Sequence, residues 1–133
     1  AGGRHPIDLL VDAPEVAGVA SGVYWFDAFR WALRPARTLG DSVGELREAV
    51  SAAVVTDCAP GATIFLMADF RRTGSRYHHP ASLVWRDAGA LMATIQLAAI
   101  GAGLSSCLAG IGGTVSLPDG TVDVGAVVLG SGA

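Results

Sequence analysis

The sequence predicts a mixed α and β domain, because strand-like and helix-like segments alternate along its 133 residues. Three observations support this class. The apolar run at 62–70 suits a strand covered on both faces, the segment at 41–55 is amphipathic, and a long apolar helix follows at about 81–103. The length fits one domain over residues 1–133. The predicted order is strand, hairpin, helix, strand, helix, strand, strand.

A strand and a β-hairpin are predicted in the first 35 residues. The strand is IDLLV at 7–11, and the hairpin turns near Asp27–Ala28 and is closed by Pro35. The second arm alternates between an apolar face and a cationic face. The apolar face has Phe29, Trp31 and Leu33, the cationic face has Arg30 and Arg34, and the first arm covers Val23 to Phe26.

The segment at 41–55 predicts a helix that begins with a capping box, because Ser42 is followed by Glu45. Its apolar face contains Val43, Leu46, Val50 and Val54. The tripeptide APG at 59–61 predicts a turn, and residues 71–80 predict a polar loop or a short helix.

The long helix predicted at 81–103 has a wide apolar stripe. Arg86, Asp87 and Gln96 argue against a membrane span, since a charge within a bilayer costs several kcal/mol. Its many alanines permit close helix approach, so we expect a buried helix at a subunit interface. The stripe comprises Val84, Ala88, Leu91, Met92, Ile95, Ala98 and Ala99.

The C-terminal part predicts a short strand in LSSCLAGIGG that ends in a glycine loop, a PDG turn at 118–120 and a closing strand at 121–130. Gly101-Ala102-Gly103 is not a dinucleotide-binding loop, because such a loop opens a helix and this one closes it. A helix C-cap explains it better.

Composition excludes some classes of function. The net charge of −3 argues against a nucleic-acid binder, and the 51% apolar content suggests a subunit interface. The chain has no lysine, so no Schiff base can form. Cys58 and Cys107 have neither zinc-like nor CxxC spacing, and we expect both to be reduced, buried thiols in a cytoplasmic protein.

Few residues suggest chemistry. His78-His79 lack a third ligand at a set spacing, so no metal site is predicted, and there is no GxSxG motif for a serine hydrolase. The glycines at 110–113 could bring backbone N–H groups close to a flat ligand, or form a tight turn. Arg76-Tyr77 could serve an anionic or planar ligand, or be a solvated loop pair.

Three stretches resemble the nitroreductase-like flavoproteins, and most closely the SagB-type dehydrogenases that oxidise azoline rings in modified peptides. AGGRHPIDLLV is similar to the segment that follows a Pro-Ser pair in that family. GVYWFDAFRWALRP is similar to its hairpin, and SRYHHPASLVWRDAGALMATIQLAAIGAGLSSCLAGIGG to its long helix and glycine exit. The stretches occur in the family's order over nearly the whole chain.

The resemblance implies an α+β, nitroreductase-like fold: a mostly antiparallel sheet packed by helices, with the long helix buried at a dimer interface and FMN bound there. It implies cofactor-binding roles for Gly2 and Gly3, and for Leu108, Ala109 and Gly110 at the ring edge. It implies catalytic roles for Tyr77 in proton transfer and for Arg76 as an electrostatic helper.

The chain departs from the family pattern in ways that bear on FMN. The N-terminal helices with an RRSxR phosphate motif and the Pro-Ser pair are absent, and no late Arg or Lys follows VVLGSGA. The family's Lys-Tyr pair appears as Arg76-Tyr77, and arginine stays protonated, so it cannot act as a base. The chain lacks an initial Met, and we expect a fragment or a processed chain.

Three hypotheses follow. The first is an FMN-dependent oxidoreductase that transfers a hydride between flavin and an organic substrate, such as an azoline in a peptide. The second is a flavin-free scaffold or partner subunit with the same fold, and the third is a binding module for small molecules or peptides. We expect a homodimer or a heterodimer with a related chain, and neither nucleic acid nor membrane as a partner.

Overall fold

The computed structural model describes residues 3–54 and 61–131 and contains six strands and three helices within them. The strands are β1 (Ile7–Ala13), β2 (Gly22–Asp27), β3 (Ala32–Pro35), β4 (Ala62–Ala68), β5 (Leu104–Ala109) and β6 (Val122–Ser131). The helices are α1 (Ser42–Ala53), α2 (Phe70–Gly74) and α3 (Pro80–Gly101). This order confirms the predicted one, with α2 as the short helix at 71–80.

The six strands form one sheet in the order β3-β2-β1-β4-β6-β5, and every neighbouring pair is antiparallel. The strands β2 and β3 form a hairpin as predicted, with Asp27 opposite Ala32. The predicted apolar face of its second arm is wrong, because residues 28–31 form the turn and Phe29 and Trp31 lie exposed within it. The fold is therefore α+β, with an antiparallel sheet packed by helices, as predicted.

Strand β4 is covered on both faces, which confirms the interpretation of its apolar run. Phe65 and Met67 belong to the core cluster that contains Leu46 of α1, whereas Leu66 and Ala68 pack in the cluster with α3. Alternate side chains of a strand point to opposite faces, so the two clusters form separate layers. Burying each large apolar side chain contributes about 1.5–3 kcal/mol.

Helix α1 forms as predicted, but the capping box is wrong. The N-cap is Asp41 and no side-chain hydrogen bond caps this helix end. Ser42 is already the first helical residue, so its hydroxyl lies inside the first turn rather than over the free N–H groups. The helix is instead tied to β1 by Arg47, whose Nε and Nη2 donate to Asp12 at 2.7 and 2.8 Å.

Helix α3 is buried on one face only. Val84, Ala88 and Ala99 are buried, but Leu97 and Ile100 are 70% and 62% exposed, and Ala98 of the predicted stripe is exposed as well. It is the one helix among residues 3–54 and 61–131 that is long and apolar enough to span a membrane. A helix packed on a core passes the same test, so this is weak evidence for a span.

The prediction that both thiols are buried is wrong for Cys107, which is exposed and free. It lies on β5, the edge strand of the sheet, where neither face is fully covered. Cys58 lies outside the described residues, as does most of the turn predicted at 59–61. The turn predicted at 118–120 is present, since Gly120 N donates to Leu117 O at 2.9 Å.

Candidate functional site

The segments singled out in the sequence meet at one end of the sheet. The register sets Ile7, at the start of β1, opposite Ala68, at the end of β4, and Ala68 opposite Val122, at the start of β6. Strand β5 ends at Ala109 on the other side of β6. The chain after it stays beside the start of β6, where Gly113 N donates to the Asp123 carbonyl at 2.7 Å.

Arg72 of α2 joins this helix to the start of β1. Its Nη2 donates to Asp8 Oδ2 at 2.8 Å, and its Nη1 donates to the carbonyl of His5 at 3.0 Å. The hydrogen bond to Asp8 is the main cause that raises the pKa of Arg72. The residues that precede β1 are therefore fixed against α2.

Arg71 joins α2 to the turn before β6. Its Nε donates to Asp69 Oδ1 at 2.8 Å, and its Nη2 donates to the carbonyl of Asp119 at 3.0 Å. The side-chain hydrogen bond from Arg71 lowers the pKa of Asp69 against the opposing effect of burial, and the backbone N–H of Arg71 adds to it. Arg71 and Arg72 thus hold three separate segments at one end of the sheet.

Arg76 and Tyr77 lie on the turn between α2 and α3. Their backbone N–H groups both donate to the carbonyl of Thr73 at 3.1 Å. The Arg76 side chain is exposed and Tyr77 is half-buried. The anchored α2 therefore fixes the backbone of this pair just before α3 begins at Pro80.

The glycine loop is held by Asp123, which sequence reasoning missed. Asp123 is fully buried, and its Oδ1 accepts hydrogen bonds from the N–H groups of Thr114 at 2.9 Å and Val115 at 2.7 Å. The Thr114 hydroxyl lies 3.4 Å from Oδ2. An acidic residue inside the apolar run TVDVGAVVLG was the available signal, because such a carboxylate must find partners when buried.

Gly112 lies close to the Trp85 side chain of α3. A Cβ placed on Gly112 would lie 2.5 Å from Cη2 of Trp85, which is closer than real Cβ atoms come to a neighbour. The Trp85 ring also contacts Phe70 of α2, with 6.4 Å between ring centroids. The loop and α2 are therefore both in contact with α3 through one indole.

The three residues predicted at the ring edge, 108–110, differ in access. The Ala109 side chain is fully buried in the core cluster of α1, while Leu108 is 40% exposed on the opposite, α3-facing side. Gly110 follows the end of β5 and is exposed, with no heavy atom within 4 Å of a Cβ built on it. A ligand could thus reach the backbone at Gly110 but not the Ala109 side chain.

An open cleft of about 350 Å³ lies between the segment that leads into β1 and the outer side of α3. Gly3 borders it with a φ of 71°, in the left-handed region that favours glycine. Gly2 lies outside the described residues. The other lining residues are Pro6, Ile7, Ala90 and Leu91, which are apolar, and His5, Asp87 and Thr94, which are polar.

The structure brings only some of the predicted site residues together. Gly3 meets α3 in the cleft, whereas Arg76, Tyr77 and residues 108–110 belong to the same end of the sheet but do not line the cleft. This cleft alone therefore does not join the predicted site residues. Among residues 3–54 and 61–131, no cluster of three or more His, Cys, Asp and Glu could hold a metal ion.

The cleft residues fit the ring of a flavin better than its phosphate. Four apolar side chains could flank a flat ring, and 350 Å³ lies at the lower end of ligand-site volumes. A phosphate dianion needs charge-assisted donors. Of the described residues that line the cleft, none is an arginine.

No protein-family model matches this sequence, and no curated protein matches it. Solved structures do match in fold. A chain of the Escherichia coli microcin synthetase McbBCD complex, solved with truncated pro-MccB17 bound, has a TM-score of 0.79 and 17% identity, covering 99% of this chain and 54% of that one.

Two crystal structures of proteins provisionally assigned as nitroreductases are also similar. The one from Anabaena variabilis has a TM-score of 0.71 and 22% identity. The match covers 96% of the present chain and 27% of the Anabaena chain. The one from Ralstonia eutropha has a TM-score of 0.68 and 17% identity. The match covers 96% of the present chain and 58% of the Ralstonia chain.

The chain therefore spans between about a quarter and three fifths of the length of each of these three structures. The similarity extends over nearly all of its own residues, through the sheet, the long helix α3 and the loop after β5. The antiparallel sheet and these matches together show that the chain has the nitroreductase-like fold.

Proposed function

We propose that this chain is part of an FMN-dependent oxidoreductase that transfers a hydride between flavin and an organic substrate. The observation that carries the proposal is the cleft between the Gly3 segment and α3, on a fold shared with proteins assigned as nitroreductases. The reduced thiols expected from the sequence favour the cytoplasm as its location.

An azoline ring in a modified peptide is the substrate that we favour. The resemblance of three stretches to the azoline dehydrogenases supports it. The structural similarity to a chain of the microcin synthetase complex, which was solved with a truncated precursor bound, also supports it. A small organic molecule is the other substrate class that would suit this fold.

The outer side of α3 and the adjoining side of β5 support association with a second copy or a related chain. Small residues at Gly89 and Ala93 are exposed on α3 and would let another helix approach closely. Large apolar side chains are also exposed on α3 and β5. They are Trp85, Leu97, Ile100, Leu104 and Leu108, each at least 40% exposed.

Such a dimer would also join the parts of the site that one chain keeps apart. The Gly3 cleft opens along α3, and residues 108–110 lie beyond α3 at the end of β5. Packing α3 against a partner helix would bring the cleft of one subunit towards the β5 end of the other. The proposed ring site is then bordered by Gly3 on one side and by the equivalent of Gly110 on the other.

The phosphate group would need cations from outside the cleft. A partner subunit, or parts of the protein beyond the cleft, would supply them. A bound flavin supplies a two-electron acceptor for hydride; this chain would orient the ring, exclude water through the apolar cleft walls and the α3 contact, and move a proton.

Tyr77 is the residue that we propose for proton movement. Oxidising an azoline to an azole removes two electrons and two protons from the ring, so one hydrogen leaves as hydride and the other as a proton. Tyr77 is a half-buried residue, and its hydroxyl would pass that proton on. Arg76, which stays protonated, would stabilise negative charge beside it.

Replacing the hydroxyl tests this assignment. With FMN and a thiazoline-containing model peptide, Tyr77→Phe should lower turnover by about 10²-fold or more and leave flavin binding unchanged. Tyr24→Phe is the matched control. The Tyr24 hydroxyl donates to the Ala20 carbonyl at the start of the hairpin and belongs to no part of the proposed site. Unchanged turnover in Tyr77→Phe would remove this residue from the mechanism.

A second candidate function is a flavin-free scaffold or partner subunit with this fold. The lack of arginine among the described cleft residues favours it. The two functions differ in flavin content and not in subunit association, since both use the outer surface of α3.

A further inference from the structure

The tip of the β2–β3 hairpin exposes two aromatic side chains. Phe29 is 99% exposed and Trp31 is 84% exposed. Trp31 has a φ of 51°, in the left-handed region that a non-glycine residue adopts at an energetic cost. Its ring contacts Phe26 edge-on, with 6.1 Å between centroids.

Asp27 makes this tip rigid before any partner binds. Its Oδ1 accepts hydrogen bonds from the N–H groups of Phe29 and Arg30, each at 3.1 Å. Its Oδ2 lies 3.1 Å from Arg30 Nη1 and 3.3 Å from Arg34 Nε. A fixed turn loses little entropy when it binds, so exposed aromatic rings on it are good anchors.

The hairpin region carries a net positive charge, although the whole chain has a net negative charge. Residues 22–40 contain three of the nine cationic residues, Arg30, Arg34 and Arg37, and only one of the twelve acidic ones. That acid, Asp27, is buried, while the side chains of Arg30 and Arg34 are 76% and 64% exposed. The outer surface is therefore aromatic and positively charged.

We infer that this aromatic and cationic tip docks an acidic polypeptide segment that carries apolar side chains. Acidic residues would pair with Arg30, Arg34 and Arg37, and the apolar ones would cover Phe29 and Trp31. Strand β3 is the edge strand of the sheet beside the tip, so an extended segment could also pair with it.

An anionic membrane is the competing ligand of the same charge. The remainder of the chain is acidic and would be repelled by an anionic surface. A short acidic segment can reach the tip without bringing a large negative surface close to the rest of the protein. The inference does not rest on the proposed oxidoreductase function, because it uses no residue of the cleft or of α3.

A binding titration tests this inference. The probe is a fluorescein-labelled peptide of alternating Glu and Phe, followed by fluorescence anisotropy with the full chain, against the same peptide with Lys in place of Glu. We expect saturable binding of the Glu peptide only, weakening as salt rises. The double variant Phe29→Ser with Trp31→Ser should bind at least about tenfold more weakly.

Glu48→Ser on α1 is the control, because it changes an exposed side chain outside both the hairpin tip and the surface of α3 and should leave binding of the Glu peptide unchanged. Arg37→Gln tests the charge separately and should weaken binding without touching the Asp27 network. Equal binding by wild type and the double variant would overturn the inference. So would binding to phosphatidylglycerol vesicles that depends on Phe29 and Trp31 while the peptide does not bind.

Discussion

The contact between Gly112 and Trp85 fixes the glycine loop against α3, and it leads to a test at the level of single residues. Gly112→Ala should lower the free energy of unfolding by about 1–3 kcal/mol, because the new Cβ forces the indole away from Phe70 and the loop. Denaturant unfolding measures the loss, and near-UV circular dichroism should report the displaced indole.

Gly110→Ala is the control, since nothing lies within 4 Å of a Cβ at that position. Its stability should change by no more than about 0.5 kcal/mol. Equal effects of the two substitutions would mean that Trp85 does not determine the need for glycine at 112.

At the level of single residues, some features could be predicted from the sequence and others could not. The glycine loop after β5 was predicted from local residue types and order, and the same kind of local feature led to the prediction of a site at Arg76-Tyr77. The role of Asp123 was missed, since its partners Thr114 and Val115 come beside it only when the chain returns along β6. The capping box failed because the helix begins one residue earlier than the pattern predicted, with Asp41 as the N-cap and Ser42 as the first helical residue.

The short helix α2 holds the neighbouring segments at this end of the sheet through Arg71 and Arg72. The contribution of its Asp69–Arg71 pair to the stability of the fold depends on pH. Arg71 holds the pKa of Asp69 below its ordinary value of 3.8. A carboxylate with a lowered pKa stabilises the folded state fully above its unfolded pKa, and this contribution is lost as the pH falls through the lower folded value.

Asp69→Asn should therefore cost up to about 1 kcal/mol at neutral pH, a modest amount because the Arg71 side chain is largely exposed. The difference from wild type should shrink as the pH falls below 3.8. Urea unfolding at several pH values measures it, with the exposed Glu48→Gln on α1 as a control. A difference that stays constant down to low pH would show that the Asp69 charge contributes nothing.

The bounds of helices and strands were predicted better than the burial of their side chains or their position in the sheet. The apolar run of β4 and the stripe of α3 have clear periods, and both elements formed within about two residues of the predicted bounds. Exposure at Cys107 was not predicted, because a strand's place at the edge of a sheet depends on the pairing of distant segments. The sequence also could not show that α3 would be covered on one face only.

The whole molecule is proposed to pair through the exposed side of α3, and one substitution tests this. Leu97→Glu places a charge on that surface, at a side chain that is 70% exposed, and should convert a dimer to a monomer. Size-exclusion chromatography with light scattering measures the mass. Phe29→Glu is the control, because it adds the same charge at the exposed hairpin tip and should leave the dimer intact. Dissociation of both variants would place the interface elsewhere.

The most direct test of the central claim is flavin retention. The purified chain is incubated with FMN, passed through a gel-filtration column, and examined by visible absorption across the eluted peak. Our account predicts a flavin spectrum that elutes with the dimer, and its loss in Leu97→Glu. A folded, dimeric and colourless wild-type protein would contradict the flavoenzyme and favour the flavin-free scaffold.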